Sequence, residues 1–311
     1  MTARLFLKEL RRVLSRPRAN SEVPAKKVGM LAALLKANHL SPRFMAVEVG
    51  ARALETSPEP FHTLLDSFPG SRNLAFEVDE SLCEKLNRNA KPGMEFHAKA
   101  LGRAHEPRTF HGTAHPMCSS LYEPDERWAD LFVGLDVMRK THSGTLDVTT
   151  LERFARAQGI AAVDFIKIDI QGAELEFLEG AGAILDSVLC MVCEVEFVAL
   201  YKGQPLYGDV DAFLRSRGFM LHKFLGLGGR AMKPIVINND PNVVVQNMWG
   251  DALFVRDLRE PERLTDEQLL KLAAYMEVYG SADVSHYLLA QYDSRRGTGL
   301  AEQLLRQLMP T

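Results

Sequence analysis

The sequence predicts an α/β fold built on a mostly parallel sheet, and three observations predict it. Residues 163–170 form a short run rich in β-branched and aromatic side chains, too short for a helix and suited to a buried strand. At Gln171-Gly172 the period changes: Phe177, Leu178, Ala181, Ile184 and Leu185 recur at helical spacing, leaving Glu174, Glu176 and Glu179 for solvent and the helix start. Earlier runs repeat this order of strand, turn and helix, and 311 residues suffice for one large α/β domain with a helical appendage. In such sheets, ligands sit at the carboxyl ends of the strands.

Taken in order, residues 30–35 make a short helical pattern, and Ser41-Pro42 closes a leader over 1–41. Residues 44–50 read as the first strand, running into a glycine turn. Ser57-Pro58 opens a helix through Phe61, Leu64, Leu65 and Phe68, which Pro69-Gly70 stops. Residues 74–77 and 95–100 are the second and third strands, with a helix over 81–89 between them. Residues 103–147 are polar and weakly periodic, a length that points to a functional loop ordered around a ligand. A helix over 149–158 leads into the opening strand, and 189–197 is the fifth strand. Asp209 is placed to cap a helix that Gly218 ends. Residues 219–224 and 252–255 complete the sheet, and the domain runs from 42 to 258. Beyond it, 259–311 turns helical: Thr265-Asp266-Glu267-Gln268 is a capping box, with helical patterns over 282–291 and 300–309.

Composition narrows the function. A net charge of −3 gives no reason to expect nucleic acid as the principal partner. The most apolar long run, 181–200, is interrupted by Asp186, Glu194 and Glu196, so no integral membrane segment is expected. The basic pattern of Arg4, Lys8, Arg11, Arg12, Arg16 and Arg18 around apolar residues fits a helix packed on its own domain, with weak membrane-surface contact as the other reading. Four cysteines in so long a chain suggest a reducing compartment, and a cytoplasmic protein is expected. Cys190 and Cys193 have CxxC spacing, but on a strand they face opposite sides.

The candidate site residues gather near strand ends. Lys167 and Asp169 alternate onto one face of a strand that otherwise asks for burial, so each needs a partner or a ligand. Glu48, Gly50 and Ala51 surround the first strand–helix turn, where small residues let backbone approach a ligand. The turn continues Arg52, Ala53, Leu54; it lacks a G-x-G-x-x-G, so dinucleotide binding finds little support. Glu77 ends the second strand, where a carboxylate can accept both hydroxyls of a ribose. His111 and His115 have i, i+4 spacing, yet Gly112 and Pro116 argue against the helix a metal site would need. His115 is then a candidate base by type. Glu194 and Glu196 share one face of the fifth strand. They could neutralise Lys167, position a hydroxyl or, with Asp169, hold a divalent cation; nothing in the spacing demands a metal, and none is expected.

Residues 165–174, reading FIKIDIQGAE, followed by 177–181, FLEGA, closely resemble the signature of the FkbM-type methyltransferases. The resemblance extends over roughly 45–258, through 145–147, 195–206 and Gly218-Phe219. It implies a Rossmann-like class I methyltransferase sheet with one antiparallel strand, and S-adenosylmethionine as cofactor. It assigns Glu77 to the ribose and Val78 to the adenine edge, with Ala100 and Leu101 on the adenine side. Ser119 and Ser120 match the family's small-residue segment, so the covering loop, with Gln171, Glu194 and Glu196, is expected to hold the substrate. The family's first motif usually carries a further glycine, where this chain has Ala53 and Leu54.

The reading is an S-adenosylmethionine-dependent O-methyltransferase acting on a hydroxyl of a small molecule or saccharide. Asp169 and His115 would orient the hydroxyl and take its proton, over a floor whose charge Lys167 sets. The alternative is a cofactor-poor binding or assembly protein on the same fold.

Overall fold

The structure is a computed structural model that describes residues 29–52 and 58–309. The basic N-terminal pattern, Ala53, Leu54 and Ser57 lie outside the described residues.

The main sheet starts with β1 (Met45–Val49), β2 (Arg72–Glu77) and β3 (Met94–Ala98). Next come β4 (Ala100–Leu101), β5 (Glu106–Thr113) and β6 (Lys140–Thr149), which form a separate three-stranded sheet in the order β4-β6-β5. The chain returns to the main sheet with β7 (Phe165–Ile168), β8 (Cys190–Glu196), β9 (Phe219–Arg230) and β10 (Gln246–Arg256). The seven strands run in the order β3-β2-β1-β7-β8-β10-β9. All neighbours are parallel except β10, antiparallel to both β8 and β9. This is a Rossmann-like sheet with its one reversed strand, as expected. The strand order reverses between β1 and β7, which opens a crevice at their carboxyl ends.

Alternation along the strands builds two apolar faces. Val47, Val49, Ile166, Ile168, Met191 and Cys193 face one way, against the helices Leu151–Ala157, Glu174–Gly180 and Tyr207–Ser216. Ala46, Phe165, Cys190, Val192 and Leu253 face the other, against Met30–Ala37, Asp266–Val278, Ala282–Arg296 and Leu300–Leu308. Cys190 and Cys193 therefore sit in different cores. The leader helix and the C-terminal helices together form the second helical layer of the sheet, sharing its core. Thr265 and Gln268 close the anticipated capping box.

Four sequence readings change. Residues 103–147 are not a loop: β5 and most of β6 lie there, paired antiparallel from Glu106↔Val148 to Thr113↔Lys140. Their side chains alternate over a partly exposed sheet, so no continuous apolar run announces them. The last two strands run much longer than 219–224 and 252–255, because they extend past the core as a hairpin. Asp209 is not the cap of its helix; it lies in the first turn and accepts the Leu206 backbone N–H at 2.9 Å. Glu174 and Glu176 are buried, not solvated. Arg108 and the Tyr122 hydroxyl donate to Glu176, while Glu174 accepts the Ile170 N–H at 2.9 Å.

Candidate active site

A cavity of about 430 Å³ lies at the carboxyl ends of β1, β2 and β7, roofed by β5 and β6. That volume lies within the range of small-molecule sites. Gly50 makes the crevice possible. Its φ is +88°, and a Cβ there would stand 1.9 Å from the Asp169 carbonyl oxygen, so only glycine lets the turn after β1 lie against the end of β7.

Of the candidate residues, Gly50, Glu77, Val78, Ala100, Leu101, Ser119, Ser120, Asp169 and Gln171 line this cavity. Glu77 is buried at the end of β2. Its Oε1 accepts the N–H groups of Val78 at 2.9 Å and Asp79 at 3.1 Å, with Arg52 Nη2 at 3.4 Å. Arg52 also lines the cavity and pairs more closely with Asp79, at 2.9 Å. Its guanidinium spans the turn after β1 and the end of β2. All three of these Glu77 contacts fall on Oε1.

Six candidates lie elsewhere. Glu48 is in register with Lys167 but buried under the sheet, accepting from Asn73 Nδ2 at 3.0 Å beside His62 Nε2 at 3.2 Å. Ala51 packs with Ala75, Cys83 and Phe96. Lys167 does not line the cavity; its ammonium lies 3.5 Å from Asp169 and 3.6 Å from Glu59. Burial pulls its pKa down, but Asp169, Glu59 and Glu48 more than offset that, so it rises and the charge is kept. His115 is exposed, and its Nδ1 accepts the Met117 N–H, capping the short turn Pro116–Cys118. The histidine on the cavity wall is His142, on β6. Gly112, paired with it across the ladder, leaves room for the ring: a Cβ there would stand 2.0 Å from His142 Cε1. Only recognition of that ladder in the polar stretch could have found His142.

Glu194 and Glu196 are the remaining two, and they stand behind Asp169. One carboxylate oxygen from each of Glu174, Glu194 and Glu196 lies within 4.8 Å of the other two. Burial first, then the mutual repulsion of these groups and Asp169, raises Glu194 and Glu196 well above the ordinary carboxylate range and Glu174 to about 7. Gln171 joins this cluster to the cavity. Its Nε2 donates to Asp169 Oδ1 at 2.9 Å and to Glu194 Oε2 at 2.6 Å.

A family model, the methyltransferase FkbM domain, matches residues 48–221, more than half the chain. The chain belongs to the FkbM methyltransferase family. A protein of Beauveria bassiana named "Methyltransferase 1" is 27% identical over 169 residues, which span 49% of this chain and 64% of that one. Among solved structures, a methyltransferase FkbM from Methylobacillus flagellatus aligns at 15% identity and TM-score 0.36, covering 69% of this chain and 43% of its own. The magnesium protoporphyrin IX methyltransferase of Synechocystis, solved with bound SAH, aligns at 11% identity and TM-score 0.35, covering 81% and 95%. Both likenesses are loose, and the strand order carries the fold without them. Membership of this methyltransferase family brings the S-adenosylmethionine expectation with it. Among the described residues no helix is long and apolar enough to cross a membrane.

Proposed function

We propose that this FkbM-family protein is an S-adenosylmethionine-dependent O-methyltransferase acting on a hydroxyl of a small molecule or saccharide. One observation carries the reading: a single cavity presents Glu77, with Oε1 fixed by backbone N–H groups, at one end and Asp169 at the other. The residues present fit the cofactor. Glu77 would accept the ribose hydroxyls, Val78, Ala100 and Leu101 would flank the adenine, and the backbone of Gly50 would lie along the chain between. When bound, the cofactor supplies a methyl group on a positively charged sulfur. Asp169 would orient the acceptor hydroxyl and take its proton as that oxygen becomes the nucleophile. His142, which lines the same cavity, would help orient the acceptor. Lys167 would set the charge beneath Asp169, and residues of β5 and β6 would cover the bound acceptor. All four cysteines are free, which supports a reducing, cytoplasmic setting.

The cofactor-poor alternative has its own supporting observation: Arg52 already contacts Glu77 and Asp79 where a ribose would. Calorimetric titration with S-adenosylmethionine and with NAD separates the readings. The enzyme reading expects heat with the first alone, and silence with both would favour a binding protein. In that case recovery of binding in Arg52→Ala would show that the guanidinium blocks the site.

A further inference from the structure

Gln171 stands at the sharpest bend of the site. It is one of the few non-glycine residues with positive φ, +57°, in a region that costs a residue with a Cβ and persists only where surroundings enforce it. Every polar atom of its side chain has a neighbour. The amide nitrogen has two N–H groups, one for Asp169 Oδ1 and one for Glu194 Oε2. The amide oxygen lies 3.1 Å from the Tyr201 hydroxyl, and the backbone carbonyl accepts from the Ser120 hydroxyl at 2.7 Å. A side chain so committed has no N–H left for an acceptor molecule.

We propose that Gln171 is a positioning residue: braced on Glu194, its amide holds the Asp169 carboxylate at the cavity wall. The clamp has something to work against. Lys167 lies 3.5 Å from Asp169 Oδ2, inside the floor, and its charge draws the carboxylate inward. Asp169 nevertheless keeps about a quarter of its side chain exposed at the cavity. The Gln171 amide, anchored on the neighbouring strand through Glu194, supplies the opposing pull. Without it, Asp169 turns to Lys167 and no longer faces the donor and acceptor.

This inference rests on the methyltransferase reading, and its test is arranged to fail separately. S-adenosylmethionine and S-adenosylhomocysteine differ by the transferred methyl and one positive charge, so a carboxylate facing the sulfur favours the first. Dissociation constants for both are measured by calorimetry on the full chain. The proteins compared are wild type, Gln171→Met, Asp169→Asn and the double variant. Asp169→Asn should reduce the preference for the charged cofactor by about tenfold, the order for one partly screened charge pair. Gln171→Met should reduce it by about threefold or more, and should add nothing once Asp169 is already replaced, because it acts through that residue. Gln171→Asn suits positive φ but is too short to span both carboxylates. It should behave as Gln171→Met does, which keeps the test open if the methionine variant does not fold. An unchanged preference in Gln171→Met and Gln171→Asn, or an equal loss with and without Asp169, would overturn the clamp. An unchanged preference in Asp169→Asn would overturn it too. Wild-type protein that binds neither compound would instead overturn the methyltransferase reading.

Discussion

At the scale of single residues, Lys167 and Asp169 are bound together but not equivalent. Lys167 is 8% exposed and balances Glu59 and Asp169 from beneath the sheet. Lys167→Met leaves two partly buried carboxylates without their cation, and should cost up to about 3–5 kcal/mol in chemical denaturation. Asp169→Asn keeps the shape and leaves Lys167 paired with Glu59. Its melting temperature should stay within a few degrees of wild type while S-adenosylmethionine binding or turnover collapses. A large fall in melting temperature, with affinity retained in the folded fraction, would make Asp169 a structural partner only. The anomaly of two charges in a buried strand was legible in the sequence. What was not legible was Glu59, which comes from a distant turn that no strand periodicity connects to β7. The role of His115 was equally hidden: residue type suggested a base, and the local turn uses the ring as a cap.

At the scale of elements, the site is a meeting of strand ends. The turn after β1 approaches the end of β7 so closely that Gly50 has no space for a methyl group. Gly50→Ala must displace the Asp169 carbonyl and also adopt positive φ. It should destabilise the protein by about 1–3 kcal/mol and abolish cofactor binding. Normal binding and stability in Gly50→Ala would show that this contact is not required. The strands of the main sheet were readable because burial on both faces gives them continuous apolar runs. The roof over the cavity was not, since β5 and β6 carry Arg108, His111, His142 and Ser143 on a partly exposed ladder. His142 therefore escaped notice while the less favourably placed His115 attracted it. Glu176 is hidden for a related reason: helical periodicity places acidic residues in solvent, but its partners Arg108 and Tyr122 come from that polar segment, while Glu174 folds back onto the Ile170 N–H.

At the scale of the whole molecule, the described helices before β1 and after β10 complete one face of the sheet, and the site lies at the carboxyl ends of its strands. Residues near the chain ends thus share a core with Phe165 of β7, which sequence boundaries at 41 and 259 did not convey. The buried carboxylates behind Asp169 give the molecule a pH dependence of definite sign. Glu174, Glu194 and Glu196 have folded-state pKa values above their unfolded ones, so their contribution is full below about 4.5 and is lost as pH rises through the folded values, which for Glu174 is about 7. Melting temperature should fall between pH 5 and pH 8, and Glu174→Gln should flatten that fall. A melting temperature that rises over the same interval would contradict the burial of these groups.

The central claim is that Glu77 and Asp169 bracket one S-adenosylmethionine site, and titration of the cofactor into wild type and Glu77→Ala tests it most directly. The account predicts saturable binding to wild type and a loss of about 1.5–3 kcal/mol in the variant, the range for hydrogen bonds to a charged group. The fold should be unchanged. Equal affinity in the two proteins, or no binding to wild type at millimolar cofactor, would contradict it.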